Sequence, residues 1–158
     1  MQCVKLLAGA VLLAIAFCQT AACAAEDETD ETKIRGDWQL VSTTKKGVET
    51  KAEVKGSDPS DNQPLSVTFE EQGWKAKIGP KGAPIEITGT YVLDTKQTPK
   101  LLDITVSAAG GSTDVFAIYK IEDDKLSIRV RDGNGQRPPD FELSADDCST
   151  LLFRRAAK

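Results

Sequence analysis

The sequence predicts an all-β domain folded as an antiparallel up-and-down β-barrel. Three observations carry this expectation. From Gly36 onward, apolar and polar residues alternate with a period of two, the pattern of strands that bury one face and wet the other. Turn-forming clusters such as Lys45-Lys46-Gly47, Glu71-Gln72-Gly73, Gly79-Pro80-Lys81-Gly82 and Glu122-Asp123-Asp124 separate the alternating runs, as hairpin connections do. No apolar stripe of helical period runs through the body of the chain, so short strands joined by brief turns are left to form a sandwich or a barrel.

The N-terminus reads differently. Lys5 precedes an almost wholly apolar stretch, Leu6 to Phe17, and small residues follow, ending in Ala22-Cys23-Ala24. A positive start, an apolar stretch of about a dozen residues and a small-x-small site make a secretory signal peptide. Residues 1–24 are therefore expected to be removed. Leu6 to Phe17 falls short of the roughly 20 apolar residues a membrane-spanning helix needs, so no transmembrane segment is expected. A second ending, Thr20-Ala21-Ala22-Cys23, resembles a bacterial lipoprotein site with Cys23 lipidated. Thr20 stands where leucine is usual, and simple cleavage is the expectation. Either way the protein is exported: periplasmic, cell-surface or extracellular. Cys3, Cys18 and Cys23 all lie in this region. Only Cys148 remains after cleavage, so no intrachain disulfide is expected and Cys148 reads as a half-buried small residue.

Residues 25–33 follow as a spacer. Glu26-Asp27-Glu28-Thr29-Asp30-Glu31 places five carboxylates in six residues with no apolar anchor, and such a run repels itself and stays solvated. The barrel domain is expected over 34–156. In order, the strands are marked by Trp38 and Leu40; Val67 and Phe69; Trp74, Ala76 and Ile78; Ile85, Ile87, Gly89, Tyr91 and Leu93; Leu102, Ile104 and Val106; Leu126, Ile128 and Val130. Gly47 to Ser66 is expected to be a loop at one rim. Val115 to Ile121 (VFAIYKI) is apolar on both faces, so this strand needs a cover on its outer side too. Thr150 to Arg155 closes the chain as a last strand.

Composition narrows function. The precursor has 20 basic and 24 acidic residues and a net charge of −4. Removing residues 1–24 takes away Lys5 and no acid, leaving −5, which opposes nucleic-acid binding. The chain has no histidine, so no histidine-based triad or Cys/His zinc site can form. No catalytic constellation, metal site or cofactor is expected. Asp132-Gly133-Asn134-Gly135-Gln136 opens like a calcium loop, but Arg137 and Leu143 stand where that loop needs glycine and glutamate. It reads as a plain turn. Asp103 is an acid between apolar neighbours and faces away from them, so solvent or a hairpin lysine is its expected partner; a catalytic acid at the mouth is the sharper alternative.

Gly36-x-Trp38, "QTPKLLDITV" (97–106), "FAIYKIEDDKLSI" (116–128), "RPPDF" (137–141) and "LLFRR" (151–155) occur in that order. The chain thereby resembles a family of exported lipocalin-like domains abundant in planctomycete bacteria, over about residues 34 to 156. It departs from the family pattern at Asp123-Asp124, where glycine-aspartate is usual, and near Ile128 and Arg129, where a cysteine often stands. The resemblance implies a fold and a compartment but no activity. It also implies barrel closure: Trp38 plugs one end, and an arginine of the last strand, Arg155 with Arg154 as fallback, lies over its ring. Arg35-Gly36-Asp37, an adhesion-type tripeptide, is then incidental.

Phe69, Trp74, Tyr91 and Phe116 are expected on the inner face. A barrel of about eight strands either fills itself with side chains or holds one small ligand. The expected function is binding of a small apolar or amphipathic molecule. The alternative is a filled barrel acting as a structural or protein-interaction domain through its doubly apolar strand. Protein partner and oligomeric state are not legible.

Overall fold

In the computed structural model the described residues are 29–52, 62–80, 83–108, 111–133, 135–142 and 147–157. The signal region 1–24, Cys23, the spacer through 28, and 53–61 of the expected rim loop lie outside them. The described chain is a short helix, α1 (Asp30–Lys33), followed by β1 (Gly36–Lys45), β2 (Val48–Lys51), β3 (Asn62–Phe69), β4 (Trp74–Pro80), β5 (Ile85–Asp94), β6 (Lys100–Ala108), β7 (Gly111–Glu122), β8 (Lys125–Arg131) and β9 (Cys148–Arg155).

The strands form one antiparallel sheet in chain order, and β9 returns to pair with β1. Closure makes an up-and-down barrel of eight strand positions, because β2 and β3 share one position. Gly36–Gln39 pair with β3, whereas Ser42–Lys45 pair with β2. A register shift at Leu40/Ser42 lets β1 serve both. Closure removes free edges that would otherwise template aggregation.

Two expectations change here. The rim loop expected over Gly47 to Ser66 contains all of β2 and Asn62–Ser66 of β3; main-chain pairing organised residues whose composition reads as loop. The acidic spacer ends earlier than expected. Asp30–Lys33 form a helical turn, and Ile34 just after it is fully buried. A carboxylate that finds tertiary donors is no longer free to keep its chain solvated.

Inward alternation builds the core: Trp38, Val67, Phe69, Ala76, Leu102, Ala117, Tyr119, Leu126, Ile128 and Phe153 pack together with Ile34. The doubly apolar strand has its cover. On the outer face of β7, Ile118 is 0% exposed and Pro138, from the β8–β9 connection, is buried. Arg137 clamps that connection down. It donates through Nη1 to the Ala117 carbonyl and through Nη2 to Asp103, and its guanidinium lies 5.4 Å from the Phe116 ring centroid. Lys120 lies over Phe141 at 5.6 Å. Arg137-Pro138-Pro139-Asp140-Phe141 is thus the strap over β7. Asp103 faces outward and stays partly in solvent as expected, but its charged partner is Arg137 and not a hairpin lysine, because the strap brings residue 137 back across the sheet.

Candidate functional site

One end of the barrel is a sealed floor. Trp38 is fully buried, and its Nε1 donates to the Ile34 carbonyl at 2.7 Å. Arg155 is its Cα register partner on β9, and the guanidinium stands 4.3 Å from the indole centroid. Its Nη1 donates to the Arg35 carbonyl at 2.8 Å and its Nη2 to that of Lys33 at 2.6 Å. One arginine therefore stacks on the plug and satisfies carbonyls at the end of α1 that the helix cannot. Arg154 points to the outer, exposed side. Gly36 makes the approach feasible. Its φ is +110°, and a Cβ there would sit 3.0 Å from Arg155 Nη1. The Gly-x-Trp spacing follows from this, since only glycine suits both the backbone angle and the crowding. Asp37 accepts from Thr68 at 2.6 Å inside the paired part of β1, so Arg35-Gly36-Asp37 is built into the wall.

A polar cluster pins α1 to this floor. Asp30 Oδ2 accepts from Lys100 Nζ at 2.7 Å and from the Tyr119 hydroxyl at 2.8 Å. Burial pushes the Asp30 carboxyl up, but the bonds from Lys100 and Tyr119 and the charges of Lys100 and Lys33 outweigh it and hold it below the ordinary carboxylate value. Tyr119 moves the other way. Burial, and then its bond to the Asp30 carboxylate, push its hydroxyl well above the ordinary tyrosine value. Sequence reading missed this cluster, because its members lie 70 and 89 residues apart. A tyrosine inside a doubly apolar strand was the one signal, since a buried hydroxyl needs a partner.

Of the four aromatics expected on the inner face, three stand there, near the floor. Phe69 and Tyr91 meet edge to face at 5.1 Å, and the Tyr91 hydroxyl donates to the Glu70 carbonyl at 2.8 Å. Trp74 is the register partner of Gly89, and a Cβ at Gly89 would fall 2.8 Å from Trp74 Nε1 and 1.8 Å from the Thr105 carbonyl oxygen. Glycine is what lets the indole and β6 close together there. Phe116 is a correction: it is 36% exposed and stands outside, the register partner of outward Asp103. Continuous apolarity in VFAIYKI hid the phase, and Ala117 and Tyr119 take the inner positions instead.

Above the floor the wall changes. The inward residues Leu40, Leu65, Ile87, Ile104, Val106, Val115, Val130 and Leu151 are only half-buried. They are aliphatic and lie in strands paired on both sides through their middles. Higher still, at the mouth, Lys45 forms an ion pair with Asp132, and Ser149 Oγ donates to the other Asp132 oxygen at 3.2 Å. Across the mouth, Ile78 and Ile85 are register partners and exposed.

Strands closed into one cylinder over a sealed floor define the class: an up-and-down barrel with the architecture of lipocalin-like domains. No family model, curated protein or solved structure matches the chain.

Proposed function

We propose that this chain is an exported lipocalin-like binding domain that holds one small apolar or amphipathic molecule in the upper half of its barrel. The carrying observation is the contrast in burial among inward side chains. Trp38, Leu102, Tyr119 and Leu126 at the floor are fully buried, whereas the aliphatic residues above them, like Trp74 and Tyr91 at their base, keep contact with solvent. Apolar surface left wet inside a cylinder is the surface a ligand would cover, and covering it is favourable by about 25 cal/mol per Å². The resemblance to exported lipocalin-like domains and the N-terminal signal support the same reading. Phe69, Trp74 and Tyr91 would form the base of the site, and Phe116 has no part in it.

The filled-barrel interaction reading loses its main motive. The outer face of β7 that suggested a partner is covered by the chain's own strap at Ile118.

A fluorescent apolar probe titrated into the mature protein should bind one molecule per barrel. Ile104→Trp, which fills the upper half, should abolish binding while the far-ultraviolet circular dichroism spectrum keeps its form. Absence of probe binding would overturn the proposal. Mass spectrometry of the mature N-terminus should show Ala25; an acylated Cys23 would replace simple cleavage by lipid anchoring.

A further inference from the structure

The mouth carries information about the head of the ligand. In register, Lys45 lies opposite Ser149, and Asp132 directly follows β8, so all three continue the inward rows of β1, β8 and β9. Among the described residues Lys45 is thus the cation at the top of the inward wall, and Asp132 is bonded to it. Below it, the inward residues of the upper wall carry no charge. Among the described residues, the next inward-row cations are Lys100 and Arg155 at the floor, where Lys100 is bonded to Asp30 and Arg155 to the Lys33 and Arg35 carbonyls. Uncharged hydrogen-bonding groups are present instead: Thr43, and Thr113 on the inward row of β7. A carboxylate entering such a wall would lose water and find, among the described residues, no unpaired cation to replace it. A hydroxyl or ester head would lose less and could bond to Thr43, Thr113 or Ser149. Opposite, Ile78 and Ile85 give the apolar body a greasy lip.

Resting on the binding reading above, we propose that the barrel takes amphipathic molecules with an uncharged polar head rather than carboxylates, and that Asp132 sets this preference by neutralising Lys45. The bond from Lys45 holds the Asp132 carboxyl below its ordinary value, so the neutralising charge persists through the mildly acidic range.

The test compares two probes of equal chain length, monolauroylglycerol and laurate, by displacement of a fluorescent apolar probe at pH 8. The wild-type protein should bind monolauroylglycerol at least about tenfold more tightly than laurate, a difference of about 1.4 kcal/mol. Asp132→Asn leaves Lys45 unpaired and should tighten laurate binding about tenfold while changing monolauroylglycerol less than about threefold. Lys45→Met, which leaves Asp132 without its cation, should weaken laurate further and spare monolauroylglycerol. If the fluorescent probe binds but laurate equals or exceeds monolauroylglycerol in the wild type, or if neither variant moves the ratio, this inference fails and the binding reading stands. If the fluorescent probe itself does not bind, both fail.

Discussion

The floor and the upper half of this barrel are made from the same strands, yet they solve different problems. At the floor, Trp38, Ile34, Leu102, Tyr119 and Leu126 are excluded from solvent, and every polar group that the plug brings in has a partner: Trp38 Nε1, Asp30, Lys100, Tyr119 and Arg155. In the upper half the inward residues Leu40, Leu65, Ile104, Val106, Val130 and Leu151 are aliphatic and half-buried. The difference teaches where stability and binding reside. Side chains that are already packed contribute to folding. Apolar side chains left wet contribute less to folding and remain available to something else.

Substitution should separate the halves. The largest effect is expected from Trp38→Ala, at about 3–5 kcal/mol, because it removes a buried ring and leaves a void under Arg155. Ile104→Ala in the upper half should cost no more than about 2 kcal/mol, since its side chain already meets solvent. Urea denaturation checks both, and equal losses would erase the distinction between floor and wall.

Arg155→Ala comes next, at about 2 kcal/mol, combining the stacked guanidinium with two bonds to carbonyls. Arg155→Lys should restore only part of this, because an ammonium cannot stack and reach both carbonyls in a fixed fork. Full rescue by lysine would show that charge alone closes the floor.

The smallest effect sharpens the picture through pH. The folded Asp30 carboxyl lies below its ordinary value of 3.8. Its stabilising contribution is therefore complete above that value and is lost as pH falls through the lowered folded one. Asp30→Asn should cost about 1 kcal/mol at pH 7. It should also flatten the acid limb of the stability curve below about pH 4. An unchanged acid limb would mean that α1 is not held to the floor by this carboxylate.

The sequence was legible where physics is local. Period-two alternation marked the strands from Trp38 to Val130, and turn residues marked their ends. The doubly apolar run at Val115 to Ile121 announced a covered strand, and Pro138 and Arg137 supply the cover. Legibility failed where phase or distance mattered. In VFAIYKI every position is apolar or amphipathic, so nothing local said that Phe116 faces out. Asp30 looked like one more repelling carboxylate, since its partners Lys100 and Tyr119 lie on β6 and β7. The β2 strand is too short and too polar to announce itself, as all four of its residues are exposed; pairing with β1 alone makes it a strand.

By itself, then, the order of residues determined that this chain would form antiparallel strands with one greasy face. Side-chain alternation acts over neighbouring positions and needs no tertiary partner to be read. Only the folded barrel decided which end is sealed, which carboxylates are held, and which inward residues stay wet. Those outcomes depend on closure of β9 against β1, which brings Arg155 over Trp38 and Ser149 alongside Lys45. Contacts across so many residues are set by the geometry of the whole cylinder and not by any single strand.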